Sequence, residues 1–514
     1  MSPHAAPWIA LAMAASGCTM LGPDFQTQRE AWSGQWHDEA VADATTQQDA
    51  PDMRQWWRVF DDPVLDALMA QADANDAGVR VAGLRVMEAR AQLGMALAGR
   101  FPQMQQAGAD ALYVRSRQSG ATAQTSRVWE YSAGVDIGWE LDFWGRFARA
   151  IESADAAYFA AQANHESALV LLHAQLASTY FAMRTAEARL RIARDNARLQ
   201  KRSFEITEKL FRAGESDELD FQQARTQYLG TLSTEPVLET QIVQARNALA
   251  ILTGRPPSPL RELDANADRE GVVPLIDRAV LQDVPASLLL RRPDVRAAEL
   301  KMAAQSAQIG VARADLFPAV SLIGSIGCSA TSLPGTQNGL LLVAGPSVRW
   351  NILDYGRITN NVRVQDARLQ QLIVAYQDSV RQAAREADDA ASGLVRALQR
   401  DAILRDAAYA AQRSLALANA LFREGYSDFQ RVLDAQRALF SQQDTYLLNR
   451  GDAVNFLIAL YKALGGGWYT AQPLVDDATR EQMRKRVSWG DLLDEAPRAP
   501  IGKDLPAPEP ADHE

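Results

Sequence analysis

Chemistry in a protein is sought first at cysteines, histidines and grouped carboxylates, and in this chain they are few and scattered. Its 514 residues include two cysteines, Cys18 and Cys328, and five histidines. There is no CxxC pair and no His/Cys cluster with the spacing of a zinc site. His165 and His173 are too far apart for one helical turn to bring both to a metal, and His4, His37 and His513 stand alone. No Ser/His/Asp set or phosphate loop stands out, so no catalytic and no metal-binding residue is assigned and an enzyme is not expected. The formal net charge of −10, with no long basic run, argues against nucleic acid as a partner.

The cysteine with a chemical setting is Cys18. Residues 7–17 form an apolar stretch of signal-peptide length, too short to span a bilayer as a helix. It ends in Ala15-Ser16-Gly17-Cys18. Small residues before a cysteine suit a lipoprotein signal peptidase, whose site must admit the backbone closely. The thiol is then acylated and the mature chain begins at Cys18. The pattern departs from the commonest form in two ways: residues 1–7 carry no Lys or Arg, and Ala15 stands where leucine is commoner. The alternative is an ordinary signal peptide with an incidental cysteine. No cofactor is expected beyond a covalent lipid on Cys18. No other stretch suits a membrane-spanning helix, so membrane residence requires acyl chains or a β-barrel.

The chain is internally repeated. Residues 88–102 match 304–318, aligning Gly94 with Gly310 and Phe101-Pro102 with Phe317-Pro318. Trp139 to Arg146 matches Trp350 to Arg357, and Leu210 to Asp217 matches Leu421 to Asp428. Three blocks in the same order indicate a tandem duplication, with the halves forming one pseudo-symmetric body.

Each half must position its parts in the same way. From Trp129 to Leu141 apolar residues alternate with polar residues or glycine, the period of a strand with one greasy and one wet face. Leu342 to Ile352 behaves alike, although Pro346 suits a central strand poorly. Weaker strands precede these near 103–115 and 318–330, so each half offers a hairpin and the chain four strands. Strands of this length with aromatics near both ends suit a tilted membrane crossing. Four strands cannot close a barrel and hydrocarbon forbids open edges, so several chains must share one; three chains give twelve strands. From Gly145 to about Arg212, and from Gly356 to about Arg423, no proline occurs and only Gly393 interrupts. Each run predicts a helix of roughly 100 Å at 1.5 Å per residue. Returning helices are expected over about 216–253 and 427–464, with a kink at Pro236, and further helices near 62–99 and 293–315.

This layout resembles the TolC-like outer-membrane efflux proteins, and within them the OprM/NodT-type lipoprotein branch that serves RND multidrug pumps. The blocks that carry the resemblance are Leu288 to Glu299, containing Arg291-Arg292-Pro293-Asp294-Val295, and Ile309 to Pro318. Gly22-Pro23, Trp139 to Arg146, Asn247 to Pro257 and Leu433 to Gln436 support it. The resemblance implies a mainly α protomer in a homotrimer, with a twelve-stranded barrel among outer-membrane lipids and a helical tunnel in the periplasm. It implies docking to a periplasmic adaptor (membrane-fusion) protein and an inner-membrane RND transporter, with passive passage of small molecules such as drugs.

It also gives the turns a role. Gly214, Glu215, Ser216 and Gly425, Tyr426, Ser427 become periplasmic tips that meet the adaptor, each glycine letting the chain reverse at φ > 0. Asp220, Asp428 and Asp434 become aperture residues, with Arg431 a candidate partner standing where relatives often have a second Asp. Three copies of a carboxylate near one axis favour cations. Asp217 and Asp428, so close to the turns, also read as helix-start residues facing the helix dipole.

The expected organisation is a signal peptide over 1–17, a lipidated extended segment over 18–60, a first repeat over 61–254, an equatorial crossover over 255–290 and a second repeat over 291–466. The polar tail over 467–514 is expected to be largely disordered or to wrap loosely outside. Two other functions fit parts of the pattern: the exit duct of a type I protein-secretion system, and a lipid-anchored periplasmic coiled-coil scaffold, which leaves the alternating strands unexplained.

Overall fold

The computed structural model describes residues 20–27, 36–42, 53–118, 124–264, 269–277, 292–330, 339–468 and 473–493. Cys18 lies outside them. Its two halves repeat one order of elements: helix, β-hairpin, very long helix, tight turn and returning helix.

The first half opens with α1 (Pro63–Asn75), whose end is set by Asp62, accepting from the amides of Val64 and Leu65. Asp76 then caps α2 (Ala77–Ala98) through the Val79 amide. The hairpin follows as β1 (Met104–Gln118) and β2 (Gln124–Leu141), and then α3 (Arg146–Ala213), 68 residues long. The chain returns as α4 (Glu218–Leu232) and α5 (Thr234–Leu252). The expected single returning helix is divided at Ser233, because Pro236 has no N–H to give Leu232. The Ser233 and Thr234 hydroxyls instead donate to the carbonyls of Gly230 and Thr231, each at 2.7 Å. The second half comprises α6 (Pro293–Ala314), β3 (Ala319–Ala330), β4 (Gly339–Arg349), α7 (Arg357–Arg423) and an unbroken α8 (Phe429–Ala463). None of the described helices is long and apolar enough to cross a membrane.

The four strands form one antiparallel sheet in the order β1-β2-β3-β4. Trp139 faces Leu322, Val135 faces Ile326, and Leu322 faces Pro346. Pro346 lies in β4, at the edge of the single-chain sheet.

Alanines let the helices approach closely. Ala160, Ala163, Ala174, Ala177 and Ala193 line the buried side of α3, which packs against α2, α5, α6 and α8. Gly393, the one interruption in α7, makes room for the Phe456 ring, which a Cβ there would meet at 2.4 Å. The largest core lies at mid-length, where Trp56 stacks on Tyr461 at 5.2 Å and Phe60 meets Phe181 at 4.5 Å.

The C-terminal segment departs from expectation. Residues 473–493 are docked rather than loose. Helix α9 (Asp477–Arg486) is capped by Asp476, which also pairs with Arg80 at 3.0 Å. Val475, Met483 and Leu493 pack on Met87 of α2. Gly83 permits this approach, since a Cβ there would lie 1.9 Å from the Leu474 carbonyl oxygen. The N-terminal segment docks on the other half: Gly22, at φ +94°, crosses Gly310 of α6. Buried Arg149 holds it through the carbonyls of Leu21 and Gly22 and the Asp24 carboxylate, the last at 2.6 Å.

Candidate functional site

The two helical hairpin tips are built alike. Gly214 and Gly425 both have φ +77°. Each turn closes with a bond spanning five residues, from the Glu215 amide to the Leu210 carbonyl and from the Tyr426 amide to the Leu421 carbonyl, both 2.9 Å. This Schellman-type closure satisfies the last carbonyls of a helix and needs a residue that tolerates positive φ. Gly214, Glu215, Gly425 and Tyr426 are exposed, and Ser216 and Ser427 half-buried.

The acidic residues beside the tips divide by role. Asp217 caps α4 through the Asp220 amide, and Asp428 caps α8 through the Arg431 amide at 3.3 Å, so both carboxylates offset helix-end charge. Asp220 is half-buried and accepts from the Ser216 hydroxyl at 3.3 Å. Asp434 is exposed and pairs with Arg437 at 3.1 Å, with Gln430 donating from the other side at 3.2 Å. Among the described residues the Arg431 side chain meets no carboxylate. Arg437, one helical turn beyond Asp434, is the base that meets it within the chain.

At the opposite end of the long helices, two further carboxylates escaped sequence reading. Asp142 accepts from the amides of Phe147 and Ala148 at 3.0 and 2.8 Å. Asp354 accepts from Ile358 at 2.7 Å and Gly356 at 3.1 Å, and these amides hold its carboxyl below the usual range. Each closes the start of a long helix directly below the sheet, where Gly145 and Gly356 adopt positive φ.

The sheet separates its side chains by face. One face carries Tyr113, Trp129, Tyr131, Val135, Ile137 and Trp139 with their partners Leu322, Ile326, Leu340 and Leu342. The other carries Asp110, Glu130, Asp136 and Glu140, together with Leu112, Ile323, Leu341, Val343 and one cation, Arg349. No other described element covers either face: Trp129, Ile137, Leu340 and Leu342 are exposed in the single chain. Cys328 lies on the apolar face as a free thiol.

The described part of the Arg-Arg-Pro-Asp-Val block, residues 292–295, proves to be a joint. Arg292 is buried and pairs with Asp294 at 2.8 Å and Glu386 at 3.0 Å, while donating to the Ala463 carbonyl, which fastens α6 to α7 and to the end of α8. Burial alone raises the Asp294 carboxyl, but the Arg292 fork more than offsets this and holds it low. His173 is likewise a tie, joining Asp73 at 2.5 Å and the Gly467 carbonyl at 2.6 Å. Among the described residues no group of His, Cys, Asp and Glu is suited to hold a metal.

The outer membrane efflux protein family model matches residues 68–255 and 284–466. The cation efflux system protein CusC of Escherichia coli K12 is 32% identical over 475 residues, covering 91% of this chain and all of that protein. The toluene efflux pump outer membrane protein TtgC of Pseudomonas putida is 28% identical over 461 residues, covering 88% of this chain and 93% of that one. Among solved structures, the outer-membrane channel OprN superposes with a TM-score of 0.80 at 33% identity, over 87% of this chain and 99% of that chain. The open state of the Neisseria gonorrhoeae MtrE outer membrane channel gives 0.72 at 26% identity, over 87% of this chain and 98% of that chain. The arrangement described above, a sheet with an uncovered apolar face running into helices of about 100 Å, thus superposes on these channels, and the chain belongs to the outer membrane efflux protein family.

Proposed function

We propose that three copies of this chain close a twelve-stranded barrel in the outer membrane and continue it as a periplasmic helical tunnel, the exit duct of a tripartite efflux pump. The observation that carries this reading is the sheet, with its two unpaired edges and its uncovered apolar face, joined directly to α3 and α7. Open edges do not persist in hydrocarbon, and repetition of the same sheet around an axis removes them. The acidic face then lines the lumen and favours cations, as do carboxylates near the tips.

The anchor fits the same placement. Two residues after Cys18, Met20 packs on Gly145, and the Leu21 amide donates to the Trp144 carbonyl at 3.2 Å. Both contacts lie at the junction of strand and helix, so a lipid on Cys18 is within reach of the inner leaflet. A relative in Salmonella typhimurium, SilC, is itself described as a probable outer membrane lipoprotein.

At the far end, Gly214, Glu215, Ser216, Gly425, Tyr426 and Ser427 meet a periplasmic adaptor, itself bound to an inner-membrane RND transporter. Asp220 and Asp434 line the resting aperture, with Asp428 and Arg431 beside them. Passage is passive, and the transporter selects among small molecules. CusC is named for cations and TtgC for toluene, so ducts of this form serve unlike cargoes.

The test is single-channel conductance of the purified protein in a planar bilayer, with its oligomer mass in detergent. Small cation-selective currents from a trimer are expected. A species without currents sinks the barrel and leaves a lipid-anchored helical scaffold.

A further inference from the structure

The apolar face of the sheet ends in arginines. Beyond the Tyr113–Trp129 pair, at the end farthest from the helices, Arg115 stands directly opposite Arg127. Both are exposed. Directly opposed side chains on an antiparallel pair have Cβ atoms about 5 Å apart, and like charges there repel. No carboxylate on this face of the described strands offsets them, since Asp110, Glu130, Asp136 and Glu140 all lie on the other face. The apolar face of β3 and β4 carries no charge at all between 320 and 348.

Position along the strand gives the pair a height. Trp139 and Trp129 lie on one face of β2, separated by about 34 Å of strand at 3.4 Å per residue. At a tilt of about 40° this spans about 26 Å, the height of the apolar band of an outer-membrane barrel. Trp129, Tyr131 and Tyr113 form a connected aromatic group at the distal end, with ring centroids 5.6 and 6.3 Å apart along the series. Aromatic rings at such a boundary sit at headgroup level, so side chains one rung farther out stand among the headgroups themselves.

We propose that Arg115 and Arg127 form a binding site for a phosphorylated headgroup of the outer-leaflet lipid, one site per protomer. This rests on the barrel reading above. A guanidinium matches phosphate oxygens with parallel N–H donors and remains charged at any physiological pH. A phosphate between the two arginines converts a repulsive cross-strand pair into an attractive triad. The second hairpin offers no such pair on this face among its described residues, so the sites alternate around the barrel with bare stretches.

The experiment compares the purified full-length protein with Arg115→Gln/Arg127→Gln, adding lipopolysaccharide, its dephosphorylated form, or inorganic phosphate. Bound lipid is read by native mass spectrometry and conductance by planar bilayer. The expected result is lipopolysaccharide retained by the native protein, weakened by salt, with about tenfold or greater loss of affinity in the double variant. The variant's conductance is expected to be unchanged, which also certifies its fold. Arg115→Gln alone is expected to give an intermediate loss. Equal retention by both proteins, or equal binding of the dephosphorylated lipid, overturns the site. Inorganic phosphate binding as tightly as the lipid overturns the lipid assignment. Absence of conductance from both proteins sinks the barrel reading and this site with it, an outcome distinct from loss of lipid in a conducting channel.

Discussion

Arg437 stands 3.1 Å from Asp434, one turn farther along the same helix, while among the described residues Arg431 meets a carboxylate through its backbone amide alone, which donates to Asp428. The acidic charge proposed for the aperture is therefore partly compensated within its own protomer. If Asp434 helps to hold the resting aperture, Asp434→Ala raises single-channel conductance. Each exposed ion pair changes an equilibrium by no more than about fivefold, which bounds the effect per protomer. Unaltered conductance in Asp434→Ala removes this residue from the aperture. Arg437→Gln is expected to alter conductance more than Arg431→Gln.

The caps beneath the sheet are expected to matter for stability rather than for conduction. Asp142→Ala removes the acceptor for the Phe147 and Ala148 amides, a loss typical of an N-cap at about 1 kcal/mol. Asp354→Ala acts in the same direction. Thermal unfolding in detergent checks both, and an unchanged Tm in each rejects the capping role.

Gly83 is expected to control the docking of the C-terminal segment. Any Cβ at this position collides with the Leu474 carbonyl oxygen. Gly83→Val should release residues 473–493 from α2 while leaving the helical body folded. Limited proteolysis should then clip this segment much faster than in the native protein. Equal protection of the two proteins contradicts the argument.

A pH dependence follows from the linker beside α1. Arg255 reaches Glu262 at 3.1 Å and Gln71 donates to it at 2.7 Å. The Arg255 bond, strengthened by Gln71, holds the Glu262 carboxyl down to about 2. A depressed carboxyl contributes stability fully above its ordinary value, and that contribution is lost as pH falls toward the depressed one. The native protein should therefore be more stable than Glu262→Gln at neutral pH, with the gap closing as pH falls from about 4.5 to about 2. A gap of constant size across that range refutes the linkage.

The sequence carried the parts of this fold whose signals are local. Runs free of proline predict α3 and α7, strict alternation predicts β2, and glycine after a helical run predicts the two tips. Partnerships across space were hidden. Arg437 and Arg431 are equally near Asp434 in sequence, and only side-chain direction chooses between them. Asp142 and Asp354 do not align in the repeat, because they stand three and two residues before their glycines. Gly83 reads by itself as a weak point in a helix, and its use appears only when Leu474, from the other end of the chain, arrives against it. The polar tail pointed to disorder because its apolar residues, Val475, Met483 and Leu493 among them, are too scattered to suggest a shared face before Met87 supplies the partner.

The crossing of Gly22 over Gly310 also imposes an order in time. The leading segment rests on α6, which follows it by more than half of the chain, and on Arg149 from the first half. A chain delivered from its N-terminus completes the seat for this segment only when the second repeat emerges. Through that interval only the first-half contacts, Arg149, Trp144 and Gly145, are available to it. Late closure of the leading segment is thus set by where one glycine lies.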